Sequence, residues 1–131
     1  MDVKSLVKRK ITVTYVTTLI ISIIFTYWYM VDKIEMENSY NLGGEFLGWL
    51  FVYSMYVGAI VLIYGNLVSV GLEYLQKKWV IKHTWLYVLF HGMFGSLIGL
   101  LFQAFEFALA GMVVALFYVL IDRWVYVREK V

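Results

Sequence analysis

The sequence predicts an all-α protein, an integral membrane four-helix bundle with both termini cytoplasmic. Three observations carry this. Four apolar stretches run at 11–31, 46–66, 84–103 and 104–121, each close to the ~20 residues that a helix needs to cross a hydrocarbon core of ~30 Å. Polar or charged residues mark each break between them. The cationic residues gather on one side of the resulting path.

Composition agrees. Of 131 residues, 63% are apolar and 15% charged, where a soluble domain carries about 45–50% apolar and ~25% charged residues. Spans and short connections fill nearly the whole chain. A single transmembrane domain, 1–131, is therefore expected, with no room for a separate catalytic domain. The net charge of +2 is too small to suggest nucleic acid as a partner. The absence of Cys excludes disulfides, thiol catalysis and thiolate metal sites.

The first stretch follows Lys4, Lys8, Arg9 and Lys10, as an apolar run follows the basic start of a signal peptide. It is too long for such a run, and it ends in Tyr27-Trp28-Tyr29 where a cleavage site would need small residues. It reads as an uncleaved first span. Thr14, Thr18, Ser22 and Thr26 recur at every fourth position and form one hydroxyl stripe.

The second stretch carries Ser54 and Gly58 at the same spacing and ends at Asn66. The segment 67–82 that follows is amphipathic. Leu67, Val70, Gly71, Tyr74 and Leu75 take one side, and Ser69, Glu73, Gln76 and Lys77 the other. It is either a continuation of the second span or a helix in the cytoplasmic interface. In the interface, Lys77, Lys78 and Lys82 would meet anionic lipid, and Glu73 and Lys77 form an i,i+4 pair.

The third stretch contains a GxxxG, Gly95 and Gly99, and a parallel pair of small residues, Gly92 and Ser96. The fourth offers Ala104, Ala108, Gly111 and Ala115. Small residues let helices approach closely in lipid, where burial of apolar surface supplies little force. The short turn at 102–106 makes the two spans antiparallel neighbours, so these faces are expected to pack together. The other use of a GxxxG is a homodimer seam.

Orientation follows from the cations. Of the 11 Lys and Arg residues, only Lys33 falls in the acidic 32–45 connection or the 102–106 turn. The rest share one side, which the positive-inside rule assigns to the cytoplasm. Tyr27, Trp28, Tyr29 and Trp49 then mark outer ends, and Trp79, Trp85, Trp124 and Tyr126 inner ends. A three-span alternative would place Gln103 and Glu106 in mid-membrane, at a cost of ~2.5–3.5 kcal/mol for the carboxylate.

His91 is the candidate functional residue that stands out. It lies seven residues into the third span, ~10 Å below the inner surface at 1.5 Å per residue. It is the only ionisable side chain expected at such depth. One reading makes it a proton relay or gate. The other makes it a neutral imidazole hydrogen-bonded to Tyr118, Ser69 or Asn66. Asp122 is the second candidate, either beside a proton path or paired with Lys82 or His83, while Arg123 reaches headgroups. Glu106 is expected in solvent and Asn66 at a helix end. No HExxH, GxSxG or GxxxxGK[ST] occurs, no metal-ligand spacing is present, and no cofactor is implied.

Three stretches carry a family likeness: 64–75 (YGNLVSVGLEYL), the His91-Gly92 pair, and 115–123 (ALFYVLIDR). Through them the chain resembles small four-span membrane proteins of Bacillus-type bacteria, whose activity is not established. The resemblance implies a bacterial cytoplasmic membrane and directs attention to Ser69, Glu73, His91 and Asp122. The first span lacks the central carboxylate of small multidrug exporters, and the glycine-arginine motif of fluoride channels is missing. The expected function is therefore a non-enzymatic accessory, immunity-type or interaction protein. Its partners would be the lipid bilayer and another membrane protein or further copies of itself. The alternatives are a small oligomeric transporter or channel titrating at His91, and a holin-like lesion former.

Overall fold

A computed structural model describes residues 3–36, 42–78, 84–101, 103 and 105–129, without the side chains of 34–36 and 129. The expectations placed on Trp79, Lys82, His83 and Ala104 lie outside these residues. The described chain is all-helical: α1 (Val3–Met36), α2 (Leu42–Ile60), α3 (Asn66–Lys78), α4 (Thr84–Leu101) and α5 (Phe105–Glu129). A π-helical turn, Val61–Gly65, joins α2 to α3. Four helices are long and apolar enough to cross a membrane, and one of them is the unbroken run Leu42–Lys78. The segment after Asn66 thus continues the second span through the π turn. The combined rod has 37 residues, about 55 Å at 1.5 Å per residue, so it overshoots a ~30 Å core by several turns.

The helices close into a ring in which α1 packs on α2 and α5, α5 on α4, and α4 on α3. Each seam has its own chemistry. Between α1 and α2, Gly58 faces Thr18, where an added Cβ would stand 3.3 Å from the Thr18 methyl. Above it Phe25 meets Tyr53 edge-on, and Tyr29 meets Trp49 at 4.3 Å between ring centroids. Lys33 and Glu45 close this seam with a 2.9 Å ion pair.

The α4–α5 seam is the tightest. A Cβ on Gly95 would overlap Ala115 and the Gly111 carbonyl, and one on Gly99 would overlap the backbone at Phe107 and Ala108. Gly92 abuts Met112 and Leu116 of the same partner helix. Ala108 and Ala115 are buried. Ser96, expected beside Gly92, sits instead towards α3, lining a groove with Leu72 and Leu75. Its hydroxyl returns to the Met93 carbonyl at 2.8 Å. The turn contains no Gly or Pro, and Gln103 itself takes the left-handed conformation at φ 53°. Its N–H caps α4 by donating to the Leu100 carbonyl at 3.0 Å.

Two sequence expectations reverse here, those for Glu73 and for Arg9 with Lys10. In α3 the apolar side faces outward: Leu67, Val70, Tyr74 and Leu75 are exposed, and Ser69 is fully buried. This is the polarity of a helix in lipid, where the bundle interior takes the polar face. Glu73 accordingly turns to α1, to Arg9 and Lys10, and not along its own helix towards Lys77. Arg9 and Lys10, expected in a basic cytoplasmic tail, are 2% and 6% exposed inside the bundle.

Candidate functional site

The site grows from rows of polar residues at helical spacing. In α1, Lys10 lies one step of four before Thr14 and extends the hydroxyl stripe. In α3, Asn66, Ser69 and Glu73 follow at steps of three and four; α4 supplies Tyr87 and His91, and α5 supplies Tyr118 and Asp122. Spacings of three and four put each row on one helix face. The ring of helices points all four rows inward at one end of the bundle.

At the centre two cations meet two carboxylates. Arg9 pairs with Glu73 through Nη2 and with Asp122 through Nε, the latter at 3.1 Å. The Lys10 Nζ donates to Ser69 Oγ at 2.5 Å, Glu73 Oε1 at 2.8 Å and Asp122 Oδ2 at 3.0 Å. An ammonium has three protons, so its donors are fully used. Each carboxylate touches both cations, and the formal charge of the quartet is zero. Asp122, whose expected partners were Lys82 or His83, is here the hub that ties α5 to α1.

Hydroxyls extend the network. Tyr87 donates to Asp122 Oδ2 at 3.4 Å, and Ser69 and Tyr87 are joined at 2.7 Å. Since the one Tyr87 proton goes to Asp122, Ser69 is the donor to Tyr87. Arg123 closes the rim by donating to Gln76 Oε1 at 3.1 Å and stacking 4.3 Å over the Tyr87 ring. It stays on the protein and does not reach outward as expected.

Asn66 explains the π turn. A π turn leaves a carbonyl without its α-helical donor. The Asn66 Nδ2 donates to the Leu62 carbonyl at 3.0 Å and with its second proton to Thr14 Oγ1 at 2.8 Å. Its Oδ1 accepts from the Tyr118 hydroxyl at 2.5 Å. Asn66 is therefore a junction of α1, α5 and the π turn, not only the end of a span.

His91 sits between two rings, parallel to Tyr118 (7°, 5.3 Å between centroids) and near Tyr87 (27°, 5.8 Å). It is 2% exposed. The expected hydrogen bond to Tyr118, Ser69 or Asn66 is replaced by stacking, because those three groups are bound to one another and to Lys10 and Thr14. The His91 Nδ1 has no hydrogen-bond partner among the described residues. Beyond His91 the bundle opens into a cavity of about 490 Å³ between α2 with its π turn and the α4–α5 hairpin. Among the described residues no group of three His, Asp or Glu side chains is placed to hold a metal ion.

Neither protein families, nor curated proteins, nor solved structures yield a match to this chain.

Sequence reasoning located His91, Asp122, Glu73 and Ser69, and the structure brings all four into one site. It missed Arg9 and Lys10, whose basic neighbours Lys4 and Lys8 suggested a solvated tail. The available signal was the four-residue register of Lys10 with Thr14.

Proposed function

We propose that this chain is a non-enzymatic multi-pass protein of a bacterial cytoplasmic membrane, termini inward, that acts by binding another membrane protein. The reading is that of an accessory or immunity-type subunit. The observation that supports it is the mutual pairing of Arg9, Lys10, Glu73 and Asp122. Carriers of ions or protons work by exchanging the partners of a buried charge. Here each carboxylate already holds both cations, Lys10 has no spare donor, and the neutral quartet plugs the end of the bundle. A plug of this kind favours a fixed scaffold whose activity lies on its lateral surface. That surface is extensive on α2, which buries only Val57.

The test is crosslinking in native membranes with identification of the captured protein. Capture of one heterologous membrane protein at stoichiometric yield is expected. Capture only of further copies of the chain would turn the reading towards a self-assembled pore.

One observation favours a second reading, a small transporter: His91 borders both the quartet and the cavity. In proteoliposomes it requires a pH-dependent flux that His91→Ala and His91→Phe abolish. Absence of flux in the wild type removes it.

A further inference from the structure

The cavity behind His91 has features that the partner-binding reading does not use. Its volume of about 490 Å³ falls in the ~300–1,000 Å³ range of small-molecule sites. Its walls combine rings with small residues. Phe25, Tyr53, Tyr64 and Tyr118 supply the rings, and Gly65 and Ala110 are among the small residues. Such walls accept a flat ring by offset stacking.

The polar groups of these walls are unequally satisfied. The Tyr64 hydroxyl donates to the Phe94 carbonyl at 2.6 Å, and that of Tyr118 donates to Asn66. His91 is the exception: it lines the cavity, is buried, and makes no hydrogen bond among the described residues. A buried polar nitrogen without a partner marks a place where an oxygen of another molecule would be favoured. The charges behind it sum to zero, so an ionic headgroup would find no net countercharge and a neutral one meets no penalty. Two further wall residues, Tyr56 and Phe107, are 70% and 67% exposed on the outer surface of the bundle. The cavity therefore reaches the apolar surface, and a membrane-dissolved molecule can enter sideways. The π turn on its wall is a feature found often at functional sites.

We propose that this cavity binds a neutral lipid whose ring bears a hydrogen-bonding oxygen, of the isoprenoid-quinone class, with the oxygen bonded to His91 and the tail leaving between α2 and α5. The site is independent of whether the protein also binds a partner subunit. Binding is proposed, with no electron transfer.

The probe is decylubiquinone, with decylbenzene as a partner of similar shape lacking the oxygens. The protein is reconstituted in quinone-free phospholipid nanodiscs, and retained probe is measured after gel filtration against empty discs. The wild type should retain about one decylubiquinone per chain and bind it about tenfold more tightly than decylbenzene, the ~1.4 kcal/mol of one hydrogen bond. His91→Phe preserves the stack between Tyr87 and Tyr118 and should erase that preference. Ala110→Trp fills the cavity and should abolish retention of both probes; Val114→Phe serves if that variant does not fold. Equal retention by wild type, empty discs and the filled variant overturns the proposal. So does a preference that survives in His91→Phe.

Discussion

Lys10 and Asp122 meet at 3.0 Å across 112 residues of sequence, joining the start of the first span to the end of the last. The contact closes the ring of helices. With the Arg9–Asp122 pair it ties α1 to α5, whose remaining shared surface is largely apolar and finds in lipid an equally good neighbour. A buried ion pair adds little net stability by itself, because desolvation offsets the attraction. Its force lies in the cost of leaving either member alone, which sets the register of α1 against α5.

Removing one carboxylate should therefore damage the bundle more than removing a pair. Asp122→Leu is expected to lower stability by about 3–5 kcal/mol, because it strands a buried cation. The double variant Lys10→Met/Asp122→Leu keeps Arg9 with Glu73 and should recover much of that loss. Unfolding in mixed micelles followed by circular dichroism measures both. Additive losses in the double variant would refute the coupling.

The glycines divide into two kinds. Gly99→Leu must push α4 from α5, since even a Cβ would overlap the Ala108 backbone; we expect loss of the folded, monodisperse protein on gel filtration. Gly71 has nothing within 4 Å of an added Cβ, so Gly71→Ala should be tolerated and gain about 0.5–1 kcal/mol of helix stability.

The π turn absorbs one extra residue before α3. Deleting Ile63, an exposed member of the turn, would remove the extra residue that the π turn accommodates and leave a regular α-helix with the rotation of α3 nearly unchanged. Ser69 and Glu73 should keep facing Lys10. The deletion should be milder than Glu73→Leu, and Asn66→Leu should fall between wild type and Glu73→Leu, each unsatisfied group costing about 1–3 kcal/mol. Thermal unfolding ranks the three variants.

Orientation is open to reporter fusions after Asn41 and after Val131. The first should report outside and the second inside. An outside signal from the second would contradict the even number of spans with an inward N-terminus.

The span count was legible because length and hydropathy depend on local sequence alone. The α4–α5 seam was legible for a related reason: a short turn makes neighbours of two adjacent rows of small residues. The polar site was only half legible. His91 and Asp122 stood out as polar groups near apolar runs. Arg9 and Lys10 did not, because they follow Lys4 and Lys8, which are exposed, and only the register of Lys10 with Thr14 hinted otherwise. What separates them is the position of α3 and α5, a long-range fact. Which face of α3 meets the bundle was not legible for the same reason, since periodicity reveals two faces but not their surroundings. The π turn has no composition signal; Asn66, whose side chain replaces the missing backbone donor, is its trace in the sequence.

The pairing of Arg9 and Lys10 with an acid 112 residues beyond Lys10 also fixes an order of events. Arg9 and Lys10 are synthesised long before Asp122. Until the fourth span leaves the ribosome, two basic side chains face the membrane with a single carboxylate, Glu73, to share. The nascent protein is thus an incomplete and recognisable object throughout its synthesis. A chain stopped short of Asp122 carries its own mark of failure, an excess positive charge where the finished protein has none.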